Sequence, residues 1–195
     1  QSDGKIIIEA MNAMAYDAMT VGYRDMQKGL DVLLARAEEA RFPLLSCNVV
    51  ERATVKSLFE PYTVIERGGL RIGILGVSEV DTVELADVRE RLEALDPVET
   101  VKRYLPELRE QADVVILLSH VGLVNERRIA GEAPGMIDLI VGGQSREVFE
   151  TLEREGSTMV VHAGFNGEWL GIFQGTRDGQ GQWIAAEATA RELGP

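Results

Sequence analysis

Apolar residues along this chain recur at two spacings, one suited to helices and one to buried strands. From Lys5 to about Ala15, Ile7, Ile8, Met11 and Met14 fall on one helical face, and Asp3 stands where a capping side chain is wanted. Met19 to Val21 reads as a short buried strand, and Leu30 to Ala40, rich in Leu, Ala and Glu, as a second helix. After Pro43 the run Leu44-Leu45-Ser46-Cys47-Asn48-Val49-Val50 is apolar on both faces, the pattern of a central strand. Tyr62 to Glu66 and Leu70 to Leu75 flank Gly68-Gly69 and predict a hairpin. Asp96-Pro97 opens a helix from Val98 to Gln111. Val114 to Leu118 is a buried strand, Asn125 to Ala130 a short helix, Ile137 to Val141 a strand and Glu147 to Glu155 a helix. Met159 to Ala163, and the region from Trp169 to Ala190 turning at Asp178-Gly179-Gln180-Gly181, close the chain with strands. Strands alternating with helices, then a late hairpin, predict an α/β sandwich with mixed sheets.

Composition narrows this picture. The 195 residues are 45% hydrophobic, enough for one full core, and residues 1–195 read as a single domain without repeats or low-complexity linkers. Lys+Arg 20 against Asp+Glu 32 leaves a net charge of −12, which repels nucleic acid and anionic membrane surfaces. No apolar run is long enough to cross a bilayer, so neither partner class is expected. The single cysteine, Cys47, allows no internal disulfide and reads as a core thiol, and no Cys/His cluster has zinc spacing. The chain starts at Gln1 without a signal-peptide pattern, as a processed or partial chain would.

Three segments carry the chemistry. They are Tyr16 to Asp25, ending Val21-Gly22-Tyr23-Arg24-Asp25; Ser119-His120-Val121-Gly122-Leu123; and Val141-Gly142-Gly143-Gln144-Ser145-Arg146. Together with Arg67 to Val77 and Ala163 to Gly171, they resemble, in order and spacing, the calcineurin-like phosphoesterase domain of the 5'-nucleotidase and UDP-sugar hydrolase family. The resemblance implies a four-layer αββα sandwich of two mixed sheets. In that family the first segment ends Gly-Asn-His-Glu or Gly-Asn-His-Asp, the second is Ser-His-(Leu/Val/Met)-Gly, and the third is Gly-Gly-His-(Thr/Ser)-His. Two further motifs, on strands that open the domain, have no counterpart after Gln1. The expectation is therefore a domain lacking its first strands, completed by a separate N-terminal fragment or by a second copy. The resemblance also implies a periplasmic or exported protein.

The family would use two divalent metal ions, held by a bridging carboxylate with His, Asn and Asp ligands. Here Tyr23-Arg24 replaces Asn-His, while Gln144 and Arg146 replace both histidines of the last motif. His120 is the only retained ligand position, so no metal cofactor is expected. The plainer reading of His120 is a neutral imidazole at a strand end, hydrogen-bonded to the backbone. His162 carries no catalytic duty by the match and reads as structural. Arg24 and Arg146 have two readings: ordinary surface groups, Arg24 paired with Asp25 and Arg146 with Glu147 or solvent, or a guanidinium clamp for phosphate or another small anion. Tyr23, Arg24, Asp25, His120, Gln144 and Arg146 thus form the candidate ligand-binding set, with no catalytic residue assigned. The leading expectation is a non-catalytic phosphoesterase-like domain that binds an anion or serves structure. A nucleotidase-type hydrolase completed by a missing segment, and a protein-interaction module, stand as alternatives.

Overall fold

The computed structural model describes residues 3–80 and 85–194. Its centre is a six-stranded mixed sheet. The hairpin strands β4 (Tyr62–Arg67) and β5 (Leu70–Ser78) turn on Gly68 and Gly69, whose φ angles of 59° and 80° suit a tight turn that residues with a Cβ resist. Next to β5 come β7 (Val114–His120), β8 (Leu139–Gly142) and β10 (Thr158–His162), all parallel, and β9 (Glu153–Glu155) pairs antiparallel at the far edge. The parallel strands are the near-continuous apolar runs of the sequence, as expected where both faces are covered.

Helices α4 (Pro97–Gln111) and α5 (Leu123–Glu132) cover one face through Val101, Leu105, Leu108 and Ile129, which pack on Leu75, Leu117 and Ile140. Asp96 caps α4 by accepting the Glu99 N–H at 2.9 Å, with Pro97 at the first turn. A methyl at Gly73 would stand 2.6 Å from Leu108 Cδ1, so that glycine lets α4 approach the sheet.

A thinner β layer covers the other face. It holds β1 (Met19–Thr20) paired parallel with β2 (Leu44–Leu45), and beyond them α1 (Lys5–Ala13) and α2 (Leu30–Glu39). Val21, Met26, Leu30, Leu33 and Leu44 form their common core. The result is the expected αββα layering. The second β layer comes in pieces, however: among the described residues β1 pairs as a strand only with β2, and β11 (Trp169–Arg177) pairs only with β12 (Trp183–Glu192). The β11–β12 hairpin is tied down by Asp138. Its carboxylate accepts the Trp183 Nε1–H at 2.8 Å and the Val115 N–H at 2.8 Å, and pairs with Arg109 at 2.7 Å.

Four sequence readings need correction. Asp3 does not cap α1; Gly4 holds that position at φ 85°, and Ile7 and Met14 are exposed while only Ile8 is buried. The strand expected over Leu44 to Val50 breaks at Ser46–Asn48 before β3 (Val49–Glu51), which pairs with β6 (Leu92–Ala94). There Asn48 takes over the backbone bonding with its side chain, accepting the Ser78 N–H at 2.9 Å and donating to the Ser78 carbonyl at 2.8 Å. The helix expected over Glu147 to Glu155 is absent. Val148 bridges Ala163, and β9 joins the sheet edge through the Gly156 turn. Between Val80 and β6, α3 (Ala86–Arg91) adds a helix the pattern did not indicate.

Candidate functional site

The three motif segments meet where β1 and β7 end. Val21 N–H donates to the Leu45 carbonyl, and the chain then turns tightly at Gly22. Asp25 closes that turn: its Oδ2 accepts the Gly22 N–H at 2.8 Å, and its own N–H donates to the Gly22 carbonyl at 3.1 Å. A methyl at Gly22 would lie 2.9 Å from Cε1 and Nε2 of His120, so the first motif can rest on the second only with glycine there.

Tyr23 is thereby aimed across the site. Its ring packs on the His120 ring with centroids 5.5 Å apart, tilted by 46°. Its hydroxyl oxygen accepts from two guanidinium groups, Arg24 Nε at 3.2 Å and Arg146 Nη2 at 3.4 Å. Those hydrogen bonds, Arg24 first, lower the phenol from its ordinary value of 10.0. Arg146 reaches the oxygen from a left-handed backbone (φ 60°), with its guanidinium 5.7 Å from the centre of the Phe165 ring. Among the described residues neither Arg24 nor Arg146 has a carboxylate within 4.0 Å. The ion pairs considered for them, with Asp25 and Glu147, do not form. Asp25 turns back to the backbone instead.

His120 ends β7 as expected, but its imidazole hydrogen-bonds no backbone group among the described residues. Its Nε2 is buried against Gly22 without a partner among the described residues. Burial lowers its pKa from 6.5 and the Arg24 charge adds to that, while the charge of Glu126 opposes both. Gln144 does not join the cluster. It donates to Glu79 Oε2 at 3.0 Å, and a methyl at Gly122 (φ 81°) would stand 2.7 Å from its Oε1. Among the described residues, no three of His, Cys, Asp and Glu come together as a metal-holding group.

Behind the site lies a network that the sequence reading missed. Ser119 Oγ–H donates to Glu126 Oε1 at 2.8 Å, and His162 Nε2 meets Glu126 Oε2 at 2.7 Å. All three residues are buried, and Phe149 packs on the His162 ring at 4.8 Å. Ser119 and His162 both stand in register with Gly142, and α5 lays Glu126 over that row. The only sequence signal is a glutamate on the buried stripe of α5, three residues before Ile129. Cys47 is a core thiol as expected, pushed up to about 12 by burial.

No family model matches the sequence. A 5'-nucleotidase of Vibrio cholerae is 32% identical over 160 residues, spanning 74% of this chain and 29% of that protein. A 5'-nucleotidase precursor from Thermus thermophilus superposes with a TM-score of 0.84 at 28% identity, over 98% of this chain and 42% of that one. A calcineurin-like phosphoesterase of Bacillus subtilis matches in fold with a TM-score of 0.83 at 24% identity, over 98% of this chain and 70% of that one. The chain therefore spans less than a third of its Vibrio relative. Motif order, αββα layering and these matches agree: the chain belongs to the 5'-nucleotidase family and has its calcineurin-like phosphoesterase fold.

Proposed function

We propose that this chain is a phosphate-recognising member of its family, in which Arg24 and Arg146 take the electrostatic role that two divalent cations have in a metal-dependent phosphoesterase. One observation carries the reading: two guanidinium groups from segments far apart in sequence converge on the Tyr23 hydroxyl, and neither has a carboxylate partner among the described residues. Planar, permanently charged donors suit a phosphate oxygen pair. The donor set does not fit a di-metal centre, since one imidazole stands among two cations that repel a metal ion. On this reading the chain carries no metal-dependent hydrolysis of its own. Calorimetric titration with inorganic phosphate tests it: binding is expected in the native chain and lost when Arg24→Ala and Arg146→Ala are combined. Unchanged binding in that double variant refutes it.

A nucleotidase-type hydrolase, completed by a segment preceding Gln1, is the second reading. Family membership favours it, as does the retained imidazole of His120, whose Nε2 has no hydrogen-bond partner among the described residues. Near-stoichiometric metal that His120→Ala removes, together with nucleotide hydrolysis, would support this reading over the first. Export to the periplasm or beyond belongs to the proposal, and cell fractionation tests it. No helix among the described residues is long and apolar enough to cross a membrane.

A further inference from the structure

We propose that Tyr23 is a phosphoryl acceptor, whose phenolic oxygen displaces the leaving group of a bound aryl phosphate monoester and keeps the phosphoryl group without a metal ion. The inference rests on the phosphate-binding reading above. It goes further by assigning a reacting atom.

The geometry supplies each part. A guanidinium group has five N–H donors. Arg24 gives one to the Tyr23 oxygen at 3.2 Å and Arg146 gives one at 3.4 Å, which leaves donors on both groups for phosphoryl oxygens. A phosphate gripped by both arginines is thus held beside the oxygen on which they already converge. The nucleophile is braced, not mobile: its ring packs on His120 at 5.5 Å, and Arg146 packs on Phe165 at 5.7 Å. Arg24 and Arg146 are both exposed, so a ligand reaches the oxygen without any opening of the core.

Phosphoryl transfer needs mainly positioning and charge stabilisation, because its transition state is loose and spreads charge over the equatorial oxygens. Tyrosine is an established type of covalent nucleophile once its oxygen is activated. The step balances as follows. The phenolic proton passes to solvent, an oxygen lone pair forms the new O–P bond, and the P–O bond to the aryl group breaks with its electron pair. The products are tyrosine phosphate at Tyr23 and an aryloxide. A weakly basic aryloxide leaves without a general acid, and His120, whose Nε2 faces Gly22, is assigned no proton.

The test incubates the full chain with nitrophenyl phosphate in excess chelator and follows intact mass, peptide maps and released nitrophenolate. One phosphoryl group per chain is expected, mapped to Tyr23, with nitrophenolate in equal amount. Arg24→Ala or Arg146→Ala should slow its formation by about a hundredfold, the usual effect of removing one charge-stabilising donor. Tyr23→Phe keeps the ring on His120 but removes the accepting oxygen, so it should form no adduct. Phosphate binding without an adduct in the native chain overturns this inference alone, as does an adduct mapped elsewhere or surviving in Tyr23→Phe. Absence of phosphate binding in the native chain overturns it together with the reading beneath it.

Discussion

Adjacent glycines in the third motif should respond oppositely to the same substitution. Gly142 stands in register with Ser119 on one side and His162 on the other. A methyl there would lie 2.7 Å from Glu126 Oε1 and closer still to His162 Nε2. Neither group can swing into solvent, because Glu126 is 0% and His162 2% exposed. Overpacking alone costs about 1–3 kcal/mol, and parting a buried ionisable pair about 3–5 kcal/mol. The Gly142 backbone lies outside the left-handed region, so alanine also lowers unfolded-chain entropy, offsetting roughly 0.5–1 kcal/mol. A net loss of at least about 3 kcal/mol, the low end of these ranges, is expected for Gly142→Ala. At Gly143 the nearest atoms to a methyl are His120 Nδ1 at 3.8 Å and the Ser119 carbonyl oxygen at 3.9 Å, ordinary contacts. Gly143→Ala should therefore be neutral or stabilising by up to about 0.5 kcal/mol. Urea unfolding followed by tryptophan fluorescence separates the two. With a slope of roughly 3 kcal/mol/M, the Gly142→Ala midpoint falls by at least about 1 M. Equal midpoints for the two variants would show that the Glu126–His162 network is looser than its distances state.

Three further outcomes are expected. Cys47, buried and pushed up to about 12, should resist iodoacetamide in the native chain near pH 8 and react once urea unfolds it; fast native labelling would contradict this. Asp113 is held at about 2, chiefly by the Arg71 side chain, so its contribution is present above the ordinary 3.8 and lost as pH falls toward 2; in Arg71→Ala, which keeps the backbone N–H bond, its carboxyl carbon should titrate higher by NMR, and an unmoved titration refutes the assignment. The chain should not run as a lone monomer, since β1 pairs as a strand only with β2 among the described residues and Ile6, Ile7, Leu170, Ile172 and Ile184 are exposed; a monodisperse monomer in light scattering, without a second fragment, contradicts it.

Much of the fold follows from local signals that the structure leaves intact. Asp96-Pro97 starts α4 and Gly68-Gly69 turns the β4–β5 hairpin because capping and turn chemistry act over a few residues. The segment Glu147 to Glu155 misleads because its helix-formers are overridden by pairing at a sheet edge. The break at Ser46–Asn48 depends on a backbone partner, Ser78, thirty residues away, which no local window contains. Motif spacing brings Tyr23, Arg24, His120 and Arg146 together. It cannot say that Gln144 turns to Glu79, or that Asp25 prefers the Gly22 N–H to the arginine beside it. The Ser119–Glu126–His162 network is assembled from three elements and becomes visible only once they pack.

The Asp138 carboxylate has a consequence for how the chain opens. It sits 7% exposed, between Val115 of β7, Arg109 of α4 and Trp183 of β12. A hairpin whose strands pair with no other strand among the described residues is ordinarily an early element to open. Here, lifting β11–β12 would withdraw the indole donor from a carboxylate that also secures the central strand and the helix above it. It would also free Arg177, which donates to the Asp113 carbonyl at 2.6 Å. The edge of the molecule is thus coupled to its centre. Hydrogen exchange in β12 should be governed by the opening that exposes β7, so that this hairpin reports on global unfolding.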